Sequence, residues 1–255
     1  MKKAIIGGTG VYNIGEATVR EVTTEYGKVV VDVLNINGEE IAFLARHGKG
    51  HSVPPHLINY RANMKALKEL GVEFVYATCA VGSMNEQFAP GDAVVLKDFI
   101  DFTKSRPLTF FEGGEGRVAH VAMDEPYCPN LRKKFVEHAT KMGLDVKGEA
   151  VYACMEGPRF ETASEIRMLQ KLGADIVGMT NVPEVVLAKE LGMCYQAVGI
   201  ITNWCTGFKG LLTDHDIQGI MAERRELVTK AFISVFTEEQ LSQDVCSCKD
   251  CLVIM

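Results

Sequence analysis

Short, apolar, β-prone runs alternate along the chain with amphipathic helical stretches, which predicts an α/β fold: a central, largely parallel sheet with helices on both faces. Two further observations support this. Gly71, Gly143, Gly173 and Gly192 each follow a helical stretch, where a helix needs a residue free to turn left-handed. The 255 residues also contain no internal repeat, low-complexity tract or linker, so residues 1–255 are expected to form one domain, with a cysteine-rich tail at 243–255.

Residues 4–6 read as a buried strand ending in Gly7-Gly8-Thr9-Gly10. Such glycines let backbone N–H groups approach an anion, and Thr9 adds a hydroxyl. The turn suits a phosphate contact or a plain tight turn. The dinucleotide fingerprint fails because residue 13 is Asn, and the P-loop lysine is missing. Asn37-Gly38, between the runs 29–36 and 40–45, marks a hairpin. Its second strand leads into Arg46-His47-Gly48-Lys49-Gly50-His51 and Pro54-Pro55-His56. This loop suits an oxyanion, with Arg46 as a planar fork and His47 as a second donor; a solvated basic loop is the plainer reading. Residues 59–70 have the spacing of a helix with Met64, Ala66 and Leu67 inward.

The run 74–77 is the next strand, and it delivers Thr78-Cys79-Ala80-Val81-Gly82-Ser83, small residues that allow close backbone approach to a ligand. A strand at 93–96 follows, then an exposed excursion over 104–117, with His120 just beyond, and a helix over 130–142. The runs 150–155, 174–177 and 194–201 are strands that lead to Met155-Glu156-Gly157-Pro158-Arg159-Phe160-Glu161-Thr162, Gly178-Met179-Thr180-Asn181-Val182-Pro183-Glu184 and Ile201-Thr202-Asn203-Trp204. Strand ends in α/β sheets are where ligands sit. An aromatic ring, a carboxylate, a thioether, a hydroxyl and an amide at these ends can hold a planar, polar-edged ring on a sugar. Thr162 with Glu165 forms a capping box for a helix over 163–172, Pro183 opens one over 184–191, and Thr213-Asp214-His215-Asp216 begins the last, to about residue 236.

The totals exclude several classes. A net charge of −6 gives no basic face for nucleic acid or anionic membrane. No apolar run approaches a membrane span, and the N-terminus enters its first strand too soon for a secretory signal, so a cytoplasmic protein is expected. Cys79, Cys128, Cys154, Cys194 and Cys205 lie among apolar or turn residues and read as buried free thiols. The tail gathers Cys246, Cys248 and Cys251, which suit a redox pair, a disulfide brace or a weak metal clip. With three clustered ligands and no histidine after them, no metal is expected there, and the tail receives no catalytic role.

Taken together the segments resemble the trimeric purine nucleoside phosphorylases, and among them the methylthioadenosine phosphorylase branch. The likeness rests on Gly7-Gly8-Thr9-Gly10, Arg46-His47-Gly48, Asn59-Tyr60-Arg61-Ala62-Asn63, Glu156-Gly157-Pro158-Arg159-Phe160, Met179-Thr180 and Val182-Pro183-Glu184-Val185, in the family's order across nearly the whole chain. The resemblance implies a single α/β domain around a mixed, barrel-like sheet, assembled as a homotrimer or a dimer of trimers. It implies phosphorolysis of a purine nucleoside to base and sugar 1-phosphate, with inorganic phosphate as co-substrate and no metal or organic cofactor. By position, Thr9, Arg46, His47, Thr180 and the Ala80 backbone with Cys79 would hold phosphate. Met179 would lie against the ribose and Phe160 on the base, with Trp204 and Cys205 also among the substrate-binding residues. His120 would reach the 5′ end of the sugar from a neighbouring subunit.

Two departures from the methylthioadenosine pattern bear on substrate. Where those enzymes carry Asp this chain has Asn203, and where they carry a small residue it has Glu161; the pair resembles that of 6-oxopurine phosphorylases. A carboxylate accepts from the N1–H of hypoxanthine or guanine but faces the bare N1 lone pair of adenine. The Asn203 amide can donate to O6 and accept from a protonated N7. Each has a plainer role open to it, Glu161 as a helix cap and Asn203 as a turn brace. Glu161 and Asn203 are thus the expected catalytic pair. At the 5′ side, Asp214 and His215 favour a hydroxyl over a methylthio group, although Asp214 can equally serve a helix dipole. Inosine and guanosine lead as expected substrates, then 5′-methylthioinosine, then 5′-methylthioadenosine. A non-catalytic purine-binding protein would share the base contacts.

Overall fold

The computed structural model describes residues 1–7, 17–48, 50, 52–114, 118–210 and 217–255, with backbone alone at 217–221 and 223. Thr9, Asp214 and His215 therefore lie outside the described residues, as do Lys49 and His51 of the basic loop. In chain order the elements are β1 (Lys3–Gly7), β2 (Ala17–Thr24), β3 (Gly27–Ile36), β4 (Glu39–Ala45), α1 (Tyr60–Glu69), β5 (Phe74–Ser83), β6 (Ala93–Phe102), β7 (Ala119–Val121), α2 (Pro129–Lys141), β8 (Val146–Met155), α3 (Ala163–Lys171), β9 (Ile176–Gly178), α4 (Asn181–Glu190), β10 (Cys194–Trp204), α5 (Ile217–Glu238) and β11 (Leu252–Ile254).

Nine strands form one mixed sheet in the order β10-β6-β8-β9-β5-β1-β4-β3-β2, and β10 also pairs with β5, so five strands close into a barrel. β5 is the seam. It runs parallel to β10 along its whole length, while β1 flanks its first half and β9 its last two residues. The barrel-like single α/β domain expected of the chain is thus present.

Alternation along β5 and β10 divides the core. Val75, Ala77, Cys79 and Val81 of β5, with Tyr195, Ala197 and Ile201 of β10, pack toward α1 and α4. Phe74, Tyr76, Val198 and Ile200 pack toward α2 and α5, where the Tyr76 ring stacks on Phe232 at 4.4 Å. Such a pair adds about 0.5–1.5 kcal/mol beyond its area burial. With both faces covered, these strands read as continuous apolar runs rather than alternating ones.

The first three helices start within a residue of where the sequence puts them, and the start expected for the last, at 213–216, lies outside the described residues. Asn59 caps α1 by accepting from the Ala62 N–H, and the Thr162–Glu165 capping box is complete in both directions. Val182 is extended, so the regular part of α4 begins at Pro183. The strand expected at 74–77 runs on through residues 78–83, which form the second half of β5. Their small side chains admit β10 and β9 on either side. A Cβ on Gly82 would stand 3.0 Å from the Cys205 sulfur and 3.3 Å from the Asn203 amide nitrogen.

The tail packs on the barrel's supporting layer. β11 pairs antiparallel with β7, and Cys248 and Cys251 are buried. All eight cysteines are free thiols. Among the described residues no helix is long and apolar enough to cross a membrane.

Candidate active site

The ends of β5, β8, β9 and β10 surround a cavity of about 250 Å³. Five stretches of the sequence meet there. Arg46, His47, Cys79, Ala80 and Thr180 line one end; Phe160, Glu161, Asn203 and Cys205 line the other; Met179 lies among them.

The first end is polar, buried and rigid. The Arg46 guanidinium gives Nε and Nη2 to the two carboxylate oxygens of Glu184, at 2.6 and 2.7 Å, and Nη1 to the Thr78 carbonyl at 2.8 Å. Burial alone would discourage its charge; Glu184 more than offsets this and holds the Arg46 pKa above its ordinary value. The fork expected to grip two oxyanion oxygens is therefore engaged by a protein carboxylate. Three of its five N–H groups are used in these contacts, and an anion can meet only the remaining ones. Glu184 is itself fixed by the Tyr195 hydroxyl at 2.7 Å, and Tyr195 accepts from Asn181, which in turn accepts from Tyr127. His47 turns Nδ1 to the Val53 carbonyl at 2.8 Å, and since a carbonyl can only accept, that nitrogen carries the proton. Of the basic loop, Arg46 and His47 are buried and His56 is half-buried, so the plain solvated-loop reading does not hold for them.

Small groups complete this end. The Thr180 backbone N–H donates to the Tyr152 hydroxyl, while its own hydroxyl makes no capping bond to α4. Burial pushes the Cys79 thiol up to about 12, and it faces the Val198 carbonyl. It stays neutral beside any phosphate. Gly157, at φ +67°, lets Met179 close over it; a Cβ there would stand 2.6 Å from the Met179 sulfur.

The second end carries unspent polar groups. The pairing of β10 with β5 shifts register between Ile201 and Asn203, a bulge of the kind that re-aims side chains beside active sites. It leaves Asn203 and Cys205 facing the cavity. The Asn203 Oδ1 accepts from the Thr202 hydroxyl at 2.8 Å, and its Nδ2 donates to the Trp204 carbonyl at 2.9 Å. One lone pair of Oδ1 and one hydrogen of Nδ2 remain for a ligand. Glu161 is 7% exposed, and among the described residues its carboxylate enters no ion pair. Burial raises its pKa, with a further push from Glu165. Glu165, not Glu161, caps α3, which removes the plainer reading of Glu161. Phe160, 53% exposed, stands at the mouth.

The chain as a whole has counterparts among known proteins. Residues 2–234 match the family model described as the phosphorylase superfamily. The chain belongs to that superfamily. It is 50% identical to a 6-oxopurine nucleoside phosphorylase of Pyrococcus furiosus, over 98% of this chain and 97% of the relative. It is 45% identical to an S-methyl-5'-thioadenosine phosphorylase of Pyrococcus abyssi, over 100% and 98%. Among solved structures, a methylthioadenosine phosphorylase from an antarctic soil metagenomic library superposes with a TM-score of 0.89 at 34% identity, covering 99% of this chain and 92% of that one.

Trp204 and His120 do not line this chain's cavity, and of the two only Trp204 was expected to. Trp204, one position from Asn203, points off the cavity wall; its ring packs 5.6 Å from Phe208 under the Lys209 ammonium. Strand alternation requires this once Asn203 faces inward. His120 is exposed on β7, in register with Val253 of β11, and does not line the cavity. Glu184, Tyr195 and Thr202 are the contributors the sequence did not announce. A Pro-Glu at a helix start reads as ordinary dipole pairing, and nothing local says that its partner is Arg46.

Proposed function

We propose that the protein phosphorolyses 6-oxopurine nucleosides, inosine and guanosine, releasing the base and ribose 1-phosphate. The observation that carries this reading is the pairing of a buried Glu161, which enters no ion pair among the described residues, with a Thr202-oriented Asn203 on one wall of the cavity. Hypoxanthine or guanine between them would give its N1–H to Glu161 and take an N–H from Asn203 at O6, with N7 protonated against Oδ1. Adenine would set its N1 lone pair against the carboxylate. Sites built to hydrogen-bond one partner can reject the mismatched analogue by roughly 10⁴-fold.

The opposite end supplies the nucleophile. Arg46, His47, Thr180 and the Ala80 backbone, together with Thr9, would seat phosphate beneath C1′. A phosphate oxygen then bonds to C1′ on the face opposite the base, and the C1′–N9 pair leaves with the purine. The base gathers negative charge as it departs, and the Asn203 contacts strengthen in that transition state. Phosphate is the co-substrate, and this reading includes no metal or organic cofactor. We assign the 5′ contact to His120 of a neighbouring subunit in a homotrimer, consistent with its exposure on β7.

The test is base release from inosine, adenosine, 5′-methylthioinosine and 5′-methylthioadenosine, each with and without phosphate. Phosphate-dependent release from the two inosines is expected. Faster adenine release would overturn the role of Glu161, and release independent of phosphate would overturn the reaction.

A further inference from the structure

Far from the cavity, at the opposite end of β10, four cysteines distant in sequence converge. The sulfurs of Cys128, Cys194, Cys246 and Cys248 all lie within 4.8 Å of one another. Cys194 is the first residue of β10, and Cys128 is the residue preceding α2. Those two elements are joined by a hydrogen bond from the Cys128 N–H to the Tyr195 carbonyl at 2.8 Å. The other two cysteines come from the tail, on either side of Ser247, just after the 3₁₀ turn Gln243–Val245. Cys128, Cys194 and Cys248 are buried and Cys246 is half-buried.

We propose that these four cysteines bind one zinc(II) ion in a tetrahedral tetrathiolate site. A Zn–S length of about 2.3 Å puts the sulfurs of such a site roughly 3.8 Å apart, and the Cys194 and Cys246 sulfurs already stand at 3.4 Å. A buried, all-sulfur set of four selects a soft metal over magnesium or calcium. An outer contact is also in place: the Gln243 amide donates to the Gly192 carbonyl at 2.7 Å and lies 3.8 Å from the Cys194 sulfur. Such N–H···S contacts orient and stabilise metal thiolates. Binding converts four thiols to thiolates and releases four protons, leaving a site of net charge −2. The N-terminus of α2, at Cys128, favours that charge. Cys251 stands apart, with its thiol toward the Lys189 and Cys248 carbonyls, and needs no part in the site.

Two ligands on the barrel layer and two on the tail make the ion a clamp. It would fix the tail from residue 246 onward, and with it β11 and its partner β7. This role does not depend on the nucleoside reading.

The experiment uses the full chain, purified with reductant and without chelator. Elemental analysis should give about one zinc per chain, and the four thiols should resist alkylation until a strong chelator is added. Cobalt substitution should give the intense charge-transfer and visible bands of a tetrahedral thiolate site. Cys248→Ser should lower the zinc content at least about tenfold, by loss of one of the four ligands, and speed proteolysis of the tail. If that variant does not fold, the metal and thiol counts of the unaltered protein decide alone. Zinc well below one per chain, with the four cysteines either freely alkylated or paired as disulfides under reductant, would overturn the proposal. Iron in place of zinc would overturn it too.

Discussion

Two buried carboxylates, Glu184 behind Arg46 and Glu161 on the cavity wall, are handled in opposite ways. Glu184 spends both oxygens on Arg46 and takes a further hydrogen bond from Tyr195. Glu161 is nearly as buried, yet among the described residues it enters no ion pair. The first is consumed inside the protein, so its work is to hold a cation still. The second keeps its acceptor capacity directed at the cavity, so its work must be done on a ligand. A buried carboxylate without an ion-pair partner costs free energy, and a chain tolerates that cost where a substrate will supply one. On the proposed reading, the Arg46 end is preorganised by the protein and the Glu161 end is completed by the purine.

The largest effect should come from breaking the satisfied pair. Glu184→Ala strands the Arg46 charge in the core, and leaving one half of a buried ion pair typically costs about 3–5 kcal/mol. Chemical denaturation should register that loss, together with collapse of phosphate-dependent turnover. The double change Arg46→Met with Glu184→Leu should recover much of the stability and none of the activity. If the double variant is no more stable than Glu184→Ala, the pair is not the buried, self-sufficient unit described above.

At the base end stability should move little and selectivity much. Asn203→Asp removes the donor to O6 and places a second negative charge beside Glu161. Losing one such transition-state donor costs about 10²–10³ in kcat, so inosine turnover should fall by that order while adenosine turnover improves. The measured quantity is the ratio of kcat/KM for the two nucleosides. An unchanged ratio would show that Asn203 does not read the base.

How far these two ends were legible follows from the same physics. The strands and helices that carry the cavity were readable because they are covered on both sides, and their apolar runs and caps are local signals. β2 was not, since Ala17–Thr24 is almost wholly exposed and shows no buried face to alternate. β7 and β11, three residues each, fall below any periodicity. Glu161 and Asn203 were legible as a chemical pair; Glu184 was not, because its partner lies 138 residues away. The cysteines show the same limit. Cys246 and Cys248 announce themselves by spacing, whereas Cys128 and Cys194 look like ordinary buried thiols until the fold sets them beside the tail.

The smallest effect is also the most discriminating, because its first measurement needs no change to the protein. Burial raises the Glu161 pKa above the usual carboxylate value. The protonated form, a donor rather than an acceptor, therefore persists to higher pH than for an exposed glutamate. As pH falls through that raised pKa, Glu161 should lose the N1–H of inosine and become able to donate to N1 of adenosine. The ratio of adenosine to inosine kcat/KM should rise on the acid side, beginning above the ordinary glutamate range. Linkage gives an independent reading with a definite sign. A raised native pKa means that the folded protein holds this proton more tightly than the unfolded chain, so the stability due to Glu161 is fully present below the unfolded pKa and is lost as pH rises through the folded one. Glu161→Gln removes the titration, so both the pH dependence of the substrate ratio and this component of the stability profile should flatten together. If the ratio flattens and the stability profile does not, Glu161 reads the base without being desolvated. If neither changes, the carboxylate is turned away from the purine and the two ends of the cavity differ less than their geometry says.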